Sequence, residues 1–143
     1  MPYQYLDDIA TADAAFKAWG ETLEELFTAA AEATMNVMVA DLATITPQEQ
    51  RHFSLQADAV DMLLFELLQE IIFYKDAEQL LLRVEELQIS GEGDDWRLAA
   101  TAAGELLNME KHELVVDVKA VTLHRFQVER TELGWEALVI LDI

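Results

Sequence analysis

Two acids and a lysine sit where their spacing could do chemistry. The chain closes on the run Trp135-Glu-Ala-Leu-Val-Ile-Leu-Asp142-Ile143. Side chains of a strand alternate faces, so Trp135, Ala137, Val139 and Leu141 share one face, with Leu138, Ile140 and Asp142 on the other. An acid thus ends a run that faces an apolar environment, and the carboxyl group of Ile143 lies within a few ångströms of it. Unpaired, two such carboxylates repel, and one must protonate or find a cation. Hard ions such as calcium or magnesium collect oxygens of this kind. Adjacent terminal carboxylates are also commonly just solvated, and the residues alone leave both readings open.

The lysine is Lys119, in Asp117-Val-Lys-Ala-Val-Thr. Read as a strand, this stretch puts Asp117 and Lys119 on one face and Val116, Val118 and Ala120 on the other. Lysine is almost never fully buried without a partner. Lys119 is therefore either a solvent-face residue weakly paired with Asp117 or a cation presented at a pocket or partner surface.

Other chemistries are excluded or unsupported. There is no cysteine, which removes disulfides, thiolate metal sites and thiol catalysis. His52, His112 and His124 lack ligand spacing, and His52 and His124 read as strand-surface residues. No phosphate loop, glycine fingerprint or serine–histidine pattern is present. With 28 acids against 9 bases and a formal charge of -19, neighbouring acids such as Glu24-Glu25 or Asp94-Asp95 carry little meaning. That charge repels phosphate backbones and anionic headgroups, so neither direct nucleic-acid binding nor membrane association is expected. A basic protein or a cation is the natural partner, with solubilising acidity as the plainer alternative. The opening MPYQYLDDIA lacks signal-peptide features, and the apolar stretch Val60–Tyr74 is interrupted by acids, so a cytoplasmic location is expected.

The elements that must position these residues follow from periodicity. Asp13–Trp19 reads as a short strand closed by Gly20. Thr22 followed by Glu25 is a capping-box signature, and Leu23, Leu26, Phe27, Ala30, Thr34 and Val37 recur at helical spacing. Phe53, Leu55 and Ala57 alternate in a second strand. Asp58 to about Tyr74 predicts a helix whose wide stripe of Leu and Ile suits a sheet surface. Strands follow at 80–90, with a bulge at Glu85-Glu86, and from Trp96 onward. A long strand is expected over 112–128, then a turn at Thr131–Gly134 and the terminal strand. The order β-α-β-α-β-β-β-β predicts an α+β fold, two helices packed on a largely antiparallel sheet, as a two-layer single domain over 1–143.

The stretches YLDDIATADAAFKAWGETLEELFTAAAEAT, DMLLFELLQEIIFY, DVKAVTLHRFQV and WEALVILDI, in this order over nearly the whole chain, resemble the archease family. The resemblance implies a non-enzymatic accessory protein of the GTP-dependent RNA-splicing ligase, promoting its guanylylation and multiple turnover. It also implies a divalent-cation site, calcium in the first instance, built from an N-terminal aspartate and the closing Asp-Ile. Carried over, these are Asp13, Asp142 and Ile143, and the family lysine falls on Lys119 with a role in activating the partner. Many members read Asp-His-Thr-Ala-Asp where this chain has Asp-Asp-Ile-Ala-Thr-Ala-Asp, which leaves Asp7 or Asp8 as further candidates at the N-terminal position. Two other functions compete: a general protein-binding chaperone or adaptor, and a metal-dependent hydrolase. The latter lacks a recognisable acid, base and pocket.

Overall fold

A computed structural model describes residues 2–7 and 13–143. In chain order the elements are β1 (Tyr3–Tyr5), β2 (Asp13–Gly20), α1 (Leu23–Met38), β3 (Glu49–Ala57), α2 (Val60–Glu78), β4 (Leu80–Glu92), β5 (Asp95–Leu106), β6 (Ala120–Val121), β7 (Gln127–Thr131) and β8 (Gly134–Asp142). One sheet runs β1-β2-β8, and β6 and β7 both pair with the far edge of β8. The second runs β3-β5-β4, and every pairing in both is antiparallel. The α+β class and the two helices are as expected from periodicity.

Helix α1 begins where the capping signature places it. The Thr22 hydroxyl accepts from the Glu25 N–H at 3.1 Å, and the Glu25 carboxylate accepts from the Glu21 N–H at 2.8 Å. A cap of this type is worth about 1 kcal/mol. Leu26, Phe27, Ala30, Ala31 and Met35 are all buried, so α1 is covered on most of its faces. Its run of alanines permits this, because α1 touches strands of both sheets. Helix α2 buries Leu63, Leu64, Leu67, Leu68, Ile71 and Ile72, and runs on to Glu78. It stops at Gln79, whose φ of 53° is left-handed and ends the helical path.

Three details differ from expectation. A strand at Tyr3–Tyr5 precedes the first one expected, with Tyr3 opposite Ala18 and Tyr5 opposite Phe16. The extensive single sheet is divided in two. The expected long strand over 112–128 is mostly irregular: only Ala120–Val121 pairs there before β7 begins. Its alternation of Leu114, Val116 and Val118 mimics a strand, but Leu114 makes only an isolated bridge to Val39. Arg125, at φ 56°, then breaks the path between β6 and β7 in a turn that also holds His124. The bulge at Glu85 is as expected, between Val84 and Glu86.

Candidate cation site and its supports

Strand β8 is the centre of the site, because it is paired on both edges at its end. Asp13 of β2 lies directly opposite Asp142, and Ala120 of β6 lies opposite Asp142 on the other edge. Directly opposed residues project to the same face with Cβ atoms about 5 Å apart. The two carboxylates are thus placed side by side on the outer face of the sheet, both half-buried. Leu141, one residue earlier, points the other way into the core and fixes the register. The Ile143 side chain packs against that same core, one residue beyond Asp142.

Like charges directly opposed on a sheet are destabilising unless something offsets them. Among the described residues, neither Asp13 nor Asp142 takes part in an ion pair. Nor do three His, Asp or Glu side chains converge on one point among them. The candidate donor set is two side-chain carboxylates plus the carboxyl of Ile143, all hard oxygens suited to calcium, magnesium or manganese. Asp7 lies exposed in a turn after β1, and Asp8 lies outside the described residues.

Lys119 stands immediately beside this pair. Its backbone N–H donates to the Asp142 carbonyl at 2.8 Å, and Thr122 N–H donates to Ile140 O at 3.0 Å. The Lys119 side chain is exposed. That exposure fits the solvent-face reading, but the pairing with Asp117 expected there does not form. Asp117 is taken instead by Lys75 of α2, a residue the sequence reading passed over.

The Lys75 ammonium donates to the carboxylates of Asp117 and Asp76 and, at 2.8 Å, to the carbonyl of Val118. Only 7% of Lys75 is exposed, whereas the Asp117 side chain is 68% exposed. Burial alone would lower its pKa, but the hydrogen bonds it donates to Asp117 and then Asp76 outweigh that and raise it. Lys75 follows Ile71 by four residues and Ile72 by three, so it lies on the buried stripe of α2. A lysine on an apolar stripe signals a partner, and that was the legible clue. The consequence is positional: Lys75 pins Val118, and the next residue donates to Asp142.

A second buried network anchors the other end of the irregular segment. Glu105 accepts from Lys111 Nζ at 2.6 Å, from the Thr46 hydroxyl and from His112 Nε2 at 2.7 Å. His112 Nδ1 accepts from the Asn108 N–H at 3.0 Å, which assigns the proton to Nε2. The Lys111 hydrogen bond, then those of Thr46 and His112, hold the Glu105 carboxyl down at about 2.

The archease family model, described as "Archease protein family (MTH1598/TM1083)", matches residues 3–143. The chain belongs to the archease family. The archease of Thermococcus gammatolerans is 35% identical over 134 residues, 93% of this chain and 94% of that protein. The archease of Methanosarcina mazei is 33% identical over 144 residues, 99% and 95% of the two chains. Among solved structures, protein 1598 of Methanobacterium thermoautotrophicum superposes with a TM-score of 0.84 at 34% identity, covering 99% of both chains. A Thermotoga maritima archease, described as a possible chaperone, gives a TM-score of 0.60 at 21% identity, over 94% of this chain and 93% of that one; it speaks to the fold alone. Within this archease fold, Asp13, Asp142 and Ile143 come together at one end of the β2–β8 pair, with Lys119 adjoining. Among the described residues, no helix is long and apolar enough to cross a membrane.

Proposed function

We propose that this archease-family chain is a non-enzymatic accessory protein of the GTP-dependent RNA-splicing ligase, acting in tRNA splicing or RNA repair through a divalent-cation site at Asp13, Asp142 and the Ile143 carboxyl. The observation that carries it is the register that sets Asp13 opposite Asp142. The opposed carboxylates, without a counter-ion among the described residues, suit a hard cation better than they suit folding. When bound, the cation would offset their repulsion and leave coordination positions for an anionic group of the partner. Asp13 and Asp142 hold that position from two adjacent strands. Lys119, tied by its backbone to Asp142, presents a second positive group beside it. The net charge of -19 supports a basic partner surface, since complementary potentials speed encounter.

The test is guanylylation of the ligase from the same organism, with and without this protein. Faster guanylylation and repeated turnover are expected, with both lost in Asp142→Asn and Lys119→Ala. Equal rates with and without the wild-type protein contradict the proposal.

One observation favours a second reading, a general chaperone. Leu106, Met109, Val115 and Val116 are exposed along and beside the irregular segment after β5. That surface would take apolar stretches of unfolded clients. Pull-down at moderate salt separates the two readings, since the chaperone returns many unfolded clients and the accessory protein returns one ligase.

A further inference from the structure

Strands β2 and β8 run from the Asp13–Asp142 pair to Gly20 opposite Trp135, seven residues and about 23 Å away. At that far end a groove of about 1690 Å³ opens along α1. Two glycines shape it. A Cβ on Gly20 would meet the Leu26 backbone nitrogen at 2.6 Å, and one on Gly134 would run into the Gly20 carbonyl. Their absence lets the end of β2, the first turn of α1 and the β7–β8 hairpin close together. The hairpin tip, Glu132 and Leu133, then stands as one wall. The other wall is a stripe of α1 and its approaches: Glu21, Glu24, Glu25, Thr28, Glu32 and Asn36, at steps of three and four. Over 15 residues this stripe is about 22 Å long.

The lining combines two kinds of group. Seven acids line the groove, counting Asp41, Glu132 and Glu136 with the four of the stripe, and of these Glu136 already pairs with Lys17 at 3.2 Å. The basic side chain in the lining, Arg83, is committed to Glu32 through contacts of 2.8 and 3.2 Å. Three aromatic residues complete it: Tyr3, Trp19 and Trp135. Trp19 is 39% exposed and Leu133 is 86% exposed. Arg130 already stacks a guanidinium on Trp135, 5.5 Å from the ring centre, so the chain itself shows what that ring accepts.

We infer that this groove docks an extended, arginine- and lysine-rich segment of a protein partner. The acids take the cationic heads, while the indole faces and Leu133 take the aliphatic stems. About six or seven extended residues span the 22 Å wall. A small polyamine would satisfy the charges but leave the aromatic faces and Leu133 uncovered. The inference is independent of the cation site, which lies at the opposite end of the same strands.

The test uses chelator-treated full chain and a synthetic octapeptide of alternating arginine and alanine, with spermine and a glutamate–alanine octapeptide as comparisons. Tryptophan fluorescence and calorimetry read the binding. One-to-one binding of the arginine peptide is expected, weakened about fivefold in the double variant Glu21→Gln/Glu132→Gln and about threefold in Trp19→Leu. A control of equal charge change on β4, Glu86→Gln/Glu92→Gln, should shift affinity by less than about twofold. Equal weakening by groove and control variants overturns the inference, as does absence of binding. Spermine binding as tightly as the peptide also overturns it.

Discussion

Two sets of carboxylates in this molecule invite comparison. Glu105 is buried and saturated: Lys111, Thr46 and His112 all donate to it, and its charge is held by the fold. Asp13 and Asp142 are half-buried, face one another across a strand pair, and among the described residues have no ion-pair partner. A carboxylate whose acceptor sites are filled from within can bind nothing further. Two opposed carboxylates with sites to spare cost stability and are suited to a ligand. The difference separates acids that build the fold from acids that the fold presents.

The comparison makes opposite predictions for the two sets. Glu105→Gln should have the largest effect on folding, because it removes the charge on which Lys111 and the fully buried His112 depend. A loss of about 3 kcal/mol is expected in urea unfolding, with cation affinity unchanged. The pH dependence carries a sign. The folded pKa of Glu105 lies below its ordinary value, so its contribution is fully present above about pH 4.5. It is lost as pH falls from there through about 2. Wild type should therefore lose its advantage over Glu105→Gln across that window. A constant difference would show that the carboxylate charge is not the stabilising feature.

Lys75→Met sharpens the comparison from between the two regions. Its partner Asp117 is largely exposed and regains water, so the loss should be about 1–2 kcal/mol, smaller than for Glu105. Hydrogen exchange locates the effect. The Lys119 amide, which donates to Asp142, should lose protection, while amides of β4 and β5 keep theirs. Unchanged protection at Lys119 would mean that Lys75 stabilises α2 without placing the site. Lys119→Ala should be smaller again in stability, within about 0.5 kcal/mol, since its side chain is exposed. It should nonetheless abolish most ligase activation, and full activation by that variant would remove its assigned role.

How much of this was legible in the sequence depends on how local the signal is. The capping pair Thr22 and Glu25, the stripe of α2 and the bulge at Glu85 are short-range patterns, and each is where periodicity put it. The Asp13–Asp142 pairing is not short-range; a resemblance to a family proposed it, and the strand register brought the residues together. The segment from His112 to Phe126 was misread because alternation records which faces are apolar but not whether a neighbouring strand exists to pair with. Its path is set by Lys75, more than forty residues from Asp117 and Val118, and by Glu105, which is near His112 in sequence but is held in place by the distant Thr46. Tyr3–Tyr5 was passed over because three residues are too few for a period.

The central claim is that Asp13 and Asp142 are opposed for a cation and not for folding. Calorimetric titration of calcium into chelator-treated wild type and Asp142→Asn, with unfolding midpoints of the calcium-free proteins, tests it most directly. The account predicts that Asp142→Asn binds calcium at least about tenfold more weakly. Without calcium it should be as stable as wild type, or more stable by about 0.5 kcal/mol, because a like-charge pair is relieved. Identical titrations, or a calcium-free variant destabilised as Glu105→Gln is, would contradict it.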